Sequence, residues 1–522
     1  MNTTEFLAIA SAICPDKEAL VFEGHRITYA RLAERVNRLT NVLQKLGVGK
    51  GDRVAFLHVN CPQATEAYFA TAKAGAIYVP LNFRARADEL QYMIDTAGVK
   101  VLFVGERYIP LIAQVRKRLP SVQGFISMEG KAPGCQEYEA LLAESNAEDE
   151  SSDISDDDTT IIMYTAGTTG FPKGVMLTHN SFGVYMANNV TPADPDTVEK
   201  NILTVPLYHI AGMQAQLAAI YGGRTIVMQR QFEAAEWLRL VEQEHVGRAM
   251  MVPTMLKQLL EHPDFKQRDL SSLKVITYGA APMPLEVIKR AVKALPQARF
   301  INAFGQTESA STITMLGPED HVLEGTAEEI DKKLRHLSSI GKPMDDVVIQ
   351  IMDEEGNFLP PGEVGEIVAM GPRLMSGYWK DAEKTQTTIV DGWLHTGDLG
   401  YMDEDGYIYL AGRAKDMIKR GGEMVSPEEV ENVLQSHPAI DEAAIIGVPD
   451  DNWGEVVRAI VVKKAHSRIS ADELTEFCHQ RLASFKKPES VVFVDELPRN
   501  PMGKVLKRVL REQYGKDYKV KA

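Results

Sequence analysis

One stretch of the chain has the residue types and spacing to hold a polyphosphate: Tyr164-Thr165-Ala166-Gly167-Thr168-Thr169-Gly170-Phe171-Pro172-Lys173-Gly174-Val175. Its glycines let backbone N–H groups approach a ligand closely. Thr165, Thr168 and Thr169 add hydroxyl donors, and Lys173 adds a mobile cation. It is not a Walker loop, because Lys173 is followed by Gly174 where that motif needs Ser or Thr for its metal. A second cluster is Gly305-Gln306-Thr307-Glu308. A carboxylate at Glu308 suits Mg²⁺, which takes one or two protein carboxylates beside phosphate oxygens, and the Thr307 hydroxyl can donate to a phosphate oxygen.

These groups need elements to position them. Thr159-Thr160-Ile161-Ile162-Met163 reads as a buried strand leading into the loop. Val175 to His179 reads as a strand leaving it, with Asn180 and Ser181 as caps of the next helix. Upstream, Ala19–Phe22 and Arg26–Tyr29 flank Glu23-Gly24-His25, the pattern of a hairpin. Leu32, Val36, Leu39, Leu43 and Leu46 form a helical stripe that Gly47 ends. Strand and helix then alternate through Arg53–Leu57, Pro62–Ala74 and Ala76–Pro80, and again through Asn201–Val205, Arg224–Met228, Lys274–Tyr278, Pro282–Leu295 and Arg299–Phe304. This βαβ rhythm predicts an α/β fold of doubly wound sheets, with ligands at the carboxyl ends of the strands. Asn146–Asp158, acidic and Ser-rich, reads as a solvated loop. From about residue 340 short strands between Gly, Pro and acidic turns suggest a small β-subdomain. A tail of about 110 residues, opened by a helix start at Ser426-Pro427-Glu428-Glu429, has the periodicity of a separate α+β domain.

The 522 residues allow several domains, and 44% hydrophobic with 25% charged residues is the balance of a globular protein with a large core. A net charge of −15 argues against nucleic acid as a partner. Cys14, Cys61, Cys135 and Cys478 have no metal-ligand spacing and suit a reducing compartment. No apolar run long enough to span a bilayer is visible, nor a secretory signal at Met1–Phe6, so a cytoplasmic location is expected. A homodimer stays open as the assembly.

The twelve-residue loop resembles the phosphate signature of the adenylate-forming superfamily, and the likeness extends from Thr28 to Lys507, nearest the fatty-acyl and aryl-CoA synthetase branch. Ala166 stands where that family has Ser. The resemblance implies that Thr165, Gly167, Thr168, Thr169, Gly170 and Lys173 hold the phosphates of ATP, and that Thr307 and Glu308 serve the α-phosphate and Mg²⁺. Gly279, Ala280 and Ala281 with Asn302, Phe304 and Gly305 would form the adenine slot. Asp398 would take the ribose hydroxyls and Arg413 the ribose or a phosphate. Lys504, in Pro498-Arg499-Asn500-Pro501-Met502-Gly503-Lys504, resembles the adenylation lysine, whose ammonium neutralises charge as the α-phosphate is attacked.

By the same resemblance Lys419, Gly421 and Gly422 line a thiol tunnel, and Trp453, Phe485, Lys487 and Arg84 contact the CoA nucleotide. Lys504 and the thiol-tunnel stretch lie on one small domain and cannot both face the site, which implies rotation about a hinge at Lys415. The implied domains are 1–412, a hinge at 413–416, and 417–522. His209 would gate the acyl pocket, walled by Gly212, Met213, Trp237, Val252, Thr254 and Gly279. That lining is apolar or small, and no paired basic residues stand ready for a second carboxylate. The implied activity is ATP-dependent ligation of a hydrophobic acid, a medium- or long-chain fatty acid first, to CoA through acyl-AMP. An aryl or alicyclic acid, or loading of a carrier-protein thiol, stand as alternatives. A non-catalytic acyl-nucleotide sensor is disfavoured, since a binder needs no adenylation lysine.

Overall fold

A computed structural model describes residues 1–165, 172–413, 416–421, 423–450, 452–499 and 504–515. The phosphate-loop residues 166–171, the hinge position Lys415, and Gly422 lie outside the described residues.

The loop is framed by β1 (Thr159–Thr165) and β2 (Lys173–Thr178), antiparallel, with Thr165 opposite Lys173. They belong to an eight-stranded sheet whose interior strands are Ile77–Pro80, Arg53–Leu57 and Val99–Val104. The helix after β2 is capped by Thr178, which accepts from Ser181 N, rather than by Asn180 or Ser181 as expected from sequence. The strand's last hydroxyl reaches the free N–H first.

A second sheet of nine strands carries most of the expected ligand contacts. It includes β3 (Lys200–Leu203), followed in the chain by helix α1 (Ile210–Tyr221) and β4 (Thr225–Met228). Then come α2 (Ala234–Glu244), β5 (Arg248–Met251), α3 (Pro253–Glu261), β6 (Val275–Gly279), α4 (Leu285–Ala294), β7 (Arg299–Gln306) and β8 (Ser311–Leu316). The spatial order β8-β7-β6-β5-β3-β4 continues into the hairpin Glu18–Phe22/His25–Thr28. Helix α4 starts three residues later than the Pro282 expected from sequence, because Pro284 drives Met283 out of the helical region and itself takes the cap position.

Along β3, β5, β6 and β7 alternate residues face opposite ways. One face presents Ile202, Ala249, Ile276, Tyr278 and Phe300, all sealed in a core with α2 and α4. The other face turns towards α1, where Leu203 is buried.

A third, five-stranded sheet holds β9 (Trp393–Met402) and β10 (Ile408–Arg413). The last sheet belongs to the C-terminal region, with α5 (Pro427–Gln435, capped by Ser426) packed on β11 (Ile440–Asp450) and β12 (Gly454–Lys463). It touches the large sheet domain where Lys257 on α3 pairs with Asp441 at 2.7 Å. The acidic segment 146–158 is not simply solvated, as the sequence suggested. Asp149 pairs with Lys73 at 2.8 Å, Asp156 with the Met1 ammonium at 2.5 Å, and Asp158 with Lys50 at 2.7 Å. No helix among the described residues is long and apolar enough to cross a membrane.

Candidate active site

Four turns converge at the carboxyl ends of the parallel strands β3, β5, β6 and β7. The β3 turn leads to His209, which caps α1. It is fixed by buried Asn60, whose Oδ1 accepts from Leu207 N at 3.0 Å while its Nδ2 donates to Val205 O at 3.2 Å. Burial, with Arg84 close by, lowers the His209 pKa to about 3, so the ring is neutral at physiological pH. Its Nε2 has no partner among the described residues, and the ring lies 4.3 Å from Tyr208. Arg84 sits over Phe83 in this corner, not beside Trp453.

At the end of β6, Gly279 lies so close to β7 that a Cβ would stand 2.1 Å from Ala303 O, so only glycine fits. Ala280 follows with φ +65°, an L-residue held in the left-handed region. Asn302 commits its amide to Ser339 O at 3.4 Å, and Phe304 packs half-buried against the third sheet.

The turn after β7 carries Thr307 and Glu308 on a single 3-10 turn. Glu308 Oε1 accepts from the Tyr378 hydroxyl at 2.9 Å, and Lys173 Nζ lies 5.4 Å from the Tyr378 ring centre. Tyr378 pairs in register with Val175 on β2. One tyrosine therefore ties the lysine of the phosphate loop to the candidate metal carboxylate. Glu308 Oε2 accepts no hydrogen bond among the described residues, and no group of three or more metal-ligating side chains occurs among them. A single carboxylate with one oxygen available fits Mg²⁺ that draws its other ligands from phosphate and water.

Asp398 and Arg413 face each other across β9 and β10, with Nε to Oδ1 at 2.7 Å. Asp398 is buried and held by that guanidinium. Lys504 stands beside them. Its pKa is lowered, by desolvation first and then by Arg413, with Asp398, Glu428 and Asp416 opposing, although its side chain stays exposed. Glu428, on α5, is pushed up to about 7 by burial and then by Glu431, with Lys507 opposing. Lys504 thus lies near the facing residues of β9 and β10.

On the other side of the C-terminal region Trp453 is 52% exposed. Arg420 lies 5.7 Å from its ring, donates to Phe485 O at 3.0 Å and pairs with Glu489 at 2.8 Å. Gly421 N donates to Trp453 O. Lys419 N is held by Glu455, and Lys487 is half-buried. The acyl-pocket candidates divide. His209, Gly212, Thr254 and Gly279 lie at the strand ends, Val252 lies there too but is sealed in the same core as Trp237, and Met213 is a buried residue of α1 itself. Trp237, 1% exposed on α2, belongs to the closed core beneath the opposite face of the sheet, which corrects its placing as a pocket wall.

Tyr378 and Asn60 were missed from sequence, the only signal being an aromatic after Ser376-Gly377 for the first; Arg420 stood within the stretch Lys419-Arg420-Gly421-Gly422-Glu423 that resembles the thiol-tunnel lining, but had no role of its own.

A hairpin carrying Lys173, a carboxylate after β7, an aspartate–arginine pair across β9 and β10, and a lysine from the C-terminal region are the parts expected of an adenylate-forming enzyme. The chain matches the AMP-binding enzyme family over residues 8–379 and the AMP-binding enzyme C-terminal domain over 429–504, and it belongs to that family. It is an enzyme of the AMP-forming acid–thiol ligase class. It is 37% identical to a feruloyl-CoA synthase of Amycolatopsis over 96% of each chain. It is 34% identical to the long-chain-fatty-acid–CoA ligase FadD13 of Mycobacterium tuberculosis, over 94% of this chain and 93% of that one. Its fold superposes with a TM-score of 0.89 on the anthranilate-CoA ligase AuaEII in complex with anthranoyl-AMP, at 26% identity over 98% and 97% of the two chains.

Proposed function

We propose that the chain is an ATP-dependent acyl-CoA ligase for a hydrophobic carboxylic acid, acting through an acyl-AMP intermediate. The observation that best supports this reading is that Lys504 lies within electrostatic reach of the paired Asp398 and Arg413, where an ammonium can offset charge developing on an α-phosphate. In that step a carboxylate oxygen attacks the α-phosphorus, the O–P bond forms, and pyrophosphate leaves. Lys173 and the threonines of the loop bind the departing phosphates, and Thr307 donates to the α-phosphate. Glu308, oriented by Tyr378, holds Mg²⁺, which when bound offsets the charge on the phosphates. Asp398 accepts from the ribose hydroxyls, its orientation set by Arg413. Neutral His209 closes the acyl side without adding charge.

In the second step the CoA sulfur attacks the acyl carbon, the bond to AMP breaks, and the thiol proton leaves to solvent. For this the 417–522 domain rotates on 413–416, about Lys415, and brings Lys419, Gly421 and Gly422 to the site. Trp453, Phe485 and Lys487, with Arg420, then meet the CoA nucleotide. An exposed indole backed by a guanidinium suits a nucleotide better than a carrier protein's surface.

A fatty acid and an aryl acid both suit an apolar lining, and the feruloyl and fatty-acyl relatives support one each. The test is pyrophosphate release over a panel of carboxylic acids. Release that depends on the acid but not on CoA, with thioester only when CoA is added, is expected. Release that needs no acid would overturn the reading.

A further inference from the structure

The sheet face under α1 is not sealed like its opposite. Thr277 on β6, Met250 on β5 and Ile301 on β7 stand in one row and are half-exposed, although their strands are central. Opposite them α1 presents Ala211, Ala215 and Ala218, spaced to share one helix face and also half-exposed. Small residues on the helix and incomplete burial on the sheet leave an apolar groove. It runs from Gly279, at the candidate site, back towards the amino ends of the strands. Gly279 and Val275 are four residues apart on β6, so the groove is about 13 Å long at roughly 3.3 Å per residue.

Its far end is polar. Asn201 on β3 stands in register with Arg248 on β5, which is in register with Val275. Arg248 and Arg224 share one oxygen of Glu199, at 2.8 Å and 3.0 Å. A cavity of about 20 Å³, bordered by Asn201, Met250, Ala215 and Ala219, lies at this end. That is room for one water-sized group. Asn201 Oδ1 is buried there and has no partner among the described residues.

We propose that this end of the groove recognises a hydroxyl on the acid's end distal to its carboxyl, with Asn201 as the specificity-determining residue. A buried carbonyl oxygen calls for a donor, and a hydroxyl also accepts, so the amide is satisfied in either orientation. A second carboxylate has no proton to give to Asn201 Oδ1 at neutral pH, and both adjacent arginines are already paired with Glu199. The groove's length bounds the substrate to a hydroxylated aryl-alkenoic acid or an ω-hydroxy acid of medium chain. This deepens the ligase reading and rests on it.

The test compares acids in matched pairs on one enzyme preparation: para-hydroxycinnamic against cinnamic acid, and ω-hydroxyoctanoic against octanoic acid. Pyrophosphate release is read as kcat/KM. Wild type is expected to favour a hydroxylated member by about tenfold or more, because a site with a buried polar group rejects the analogue that leaves it unpaired. Which pair shows it assigns the aryl or the alkyl source. In Asn201→Leu the ratio is expected to fall to near one through loss on the hydroxylated acid alone. Arg248→Met tests the same end, and each ratio is internal to its preparation, so partial misfolding does not mimic it. Equal use of both members by wild type, or an unchanged ratio in Asn201→Leu, overturns this inference while leaving the ligase reading intact. No release with any acid overturns the ligase reading and this inference with it.

Discussion

Glu308 leans on Tyr378, and Asp398 on Arg413, so these groups are each held by a neighbour distant in sequence. Tyr378→Phe leaves Glu308 in place but removes its orienting donor. A roughly tenfold rise in the Mg²⁺ needed for half-maximal pyrophosphate release is expected, the usual effect of losing a supporting hydrogen bond to a metal ligand. Lys504→Ala is expected to slow acyl-AMP formation about 10²–10³-fold, as loss of a charge-stabilising donor does. Preformed acyl-AMP should still react with CoA in that variant, so equal loss of both half-reactions would contradict its role. At this scale the loop threonines, Lys173, Glu308, Asp398 and Lys504 were legible because each sits in a stretch of distinctive spacing. Tyr378 was not, because its meaning comes from a contact 70 residues away.

Strands and turns impose their own limits. At Gly305 a Cβ would stand 1.6 Å from Ser311 O, where the tight turn through Ala310 (φ +50°) folds β8 back on β7. Gly305→Ala is expected to cost roughly 1–3 kcal/mol by overpacking, read as a lower midpoint in urea, and to misplace Thr307 and Glu308. Unchanged stability and activity would show that the turn is not constrained. Most elements were readable from apolar runs and caps. The exceptions have local causes: Thr178 outcompeted two neighbouring cap candidates, and Pro284 delayed α4. The pairing of Asp398 with Arg413 required the register of β9 on β10, which no periodicity encodes. Trp237 looked like a pocket wall because it is large and apolar, yet helix α2 turns it into the core.

For the molecule as a whole, the proposed rotation can be tested at the contact between the large sheet domain and the C-terminal sheet. Lys257 and Asp441, 2.7 Å apart, mark that contact. A reducible bis-maleimide crosslink between cysteines in the double variant Lys257→Cys, Asp441→Cys is expected to permit acyl-AMP formation and block thioester formation until the linker is cleaved; thioester made at full rate by the crosslinked protein would contradict rotation. Stability should also follow the buried histidines. His179, which accepts from Thr3 N, is lowered to about 4 by burial and His209 to about 3, both from 6.5. The unfolded chain therefore binds these protons first, and stability falls as pH drops below 6.5 towards those values. A thermal midpoint that holds level across that window would contradict their neutral burial. The central claim is that an acid is activated by bonding to AMP. It is tested most directly by supplying the acid with heavy oxygen in its carboxylate and following the label by mass spectrometry through a full turnover with CoA. One labelled oxygen in AMP and none in pyrophosphate is the predicted result; label in a phosphate product, or none in AMP, would contradict it.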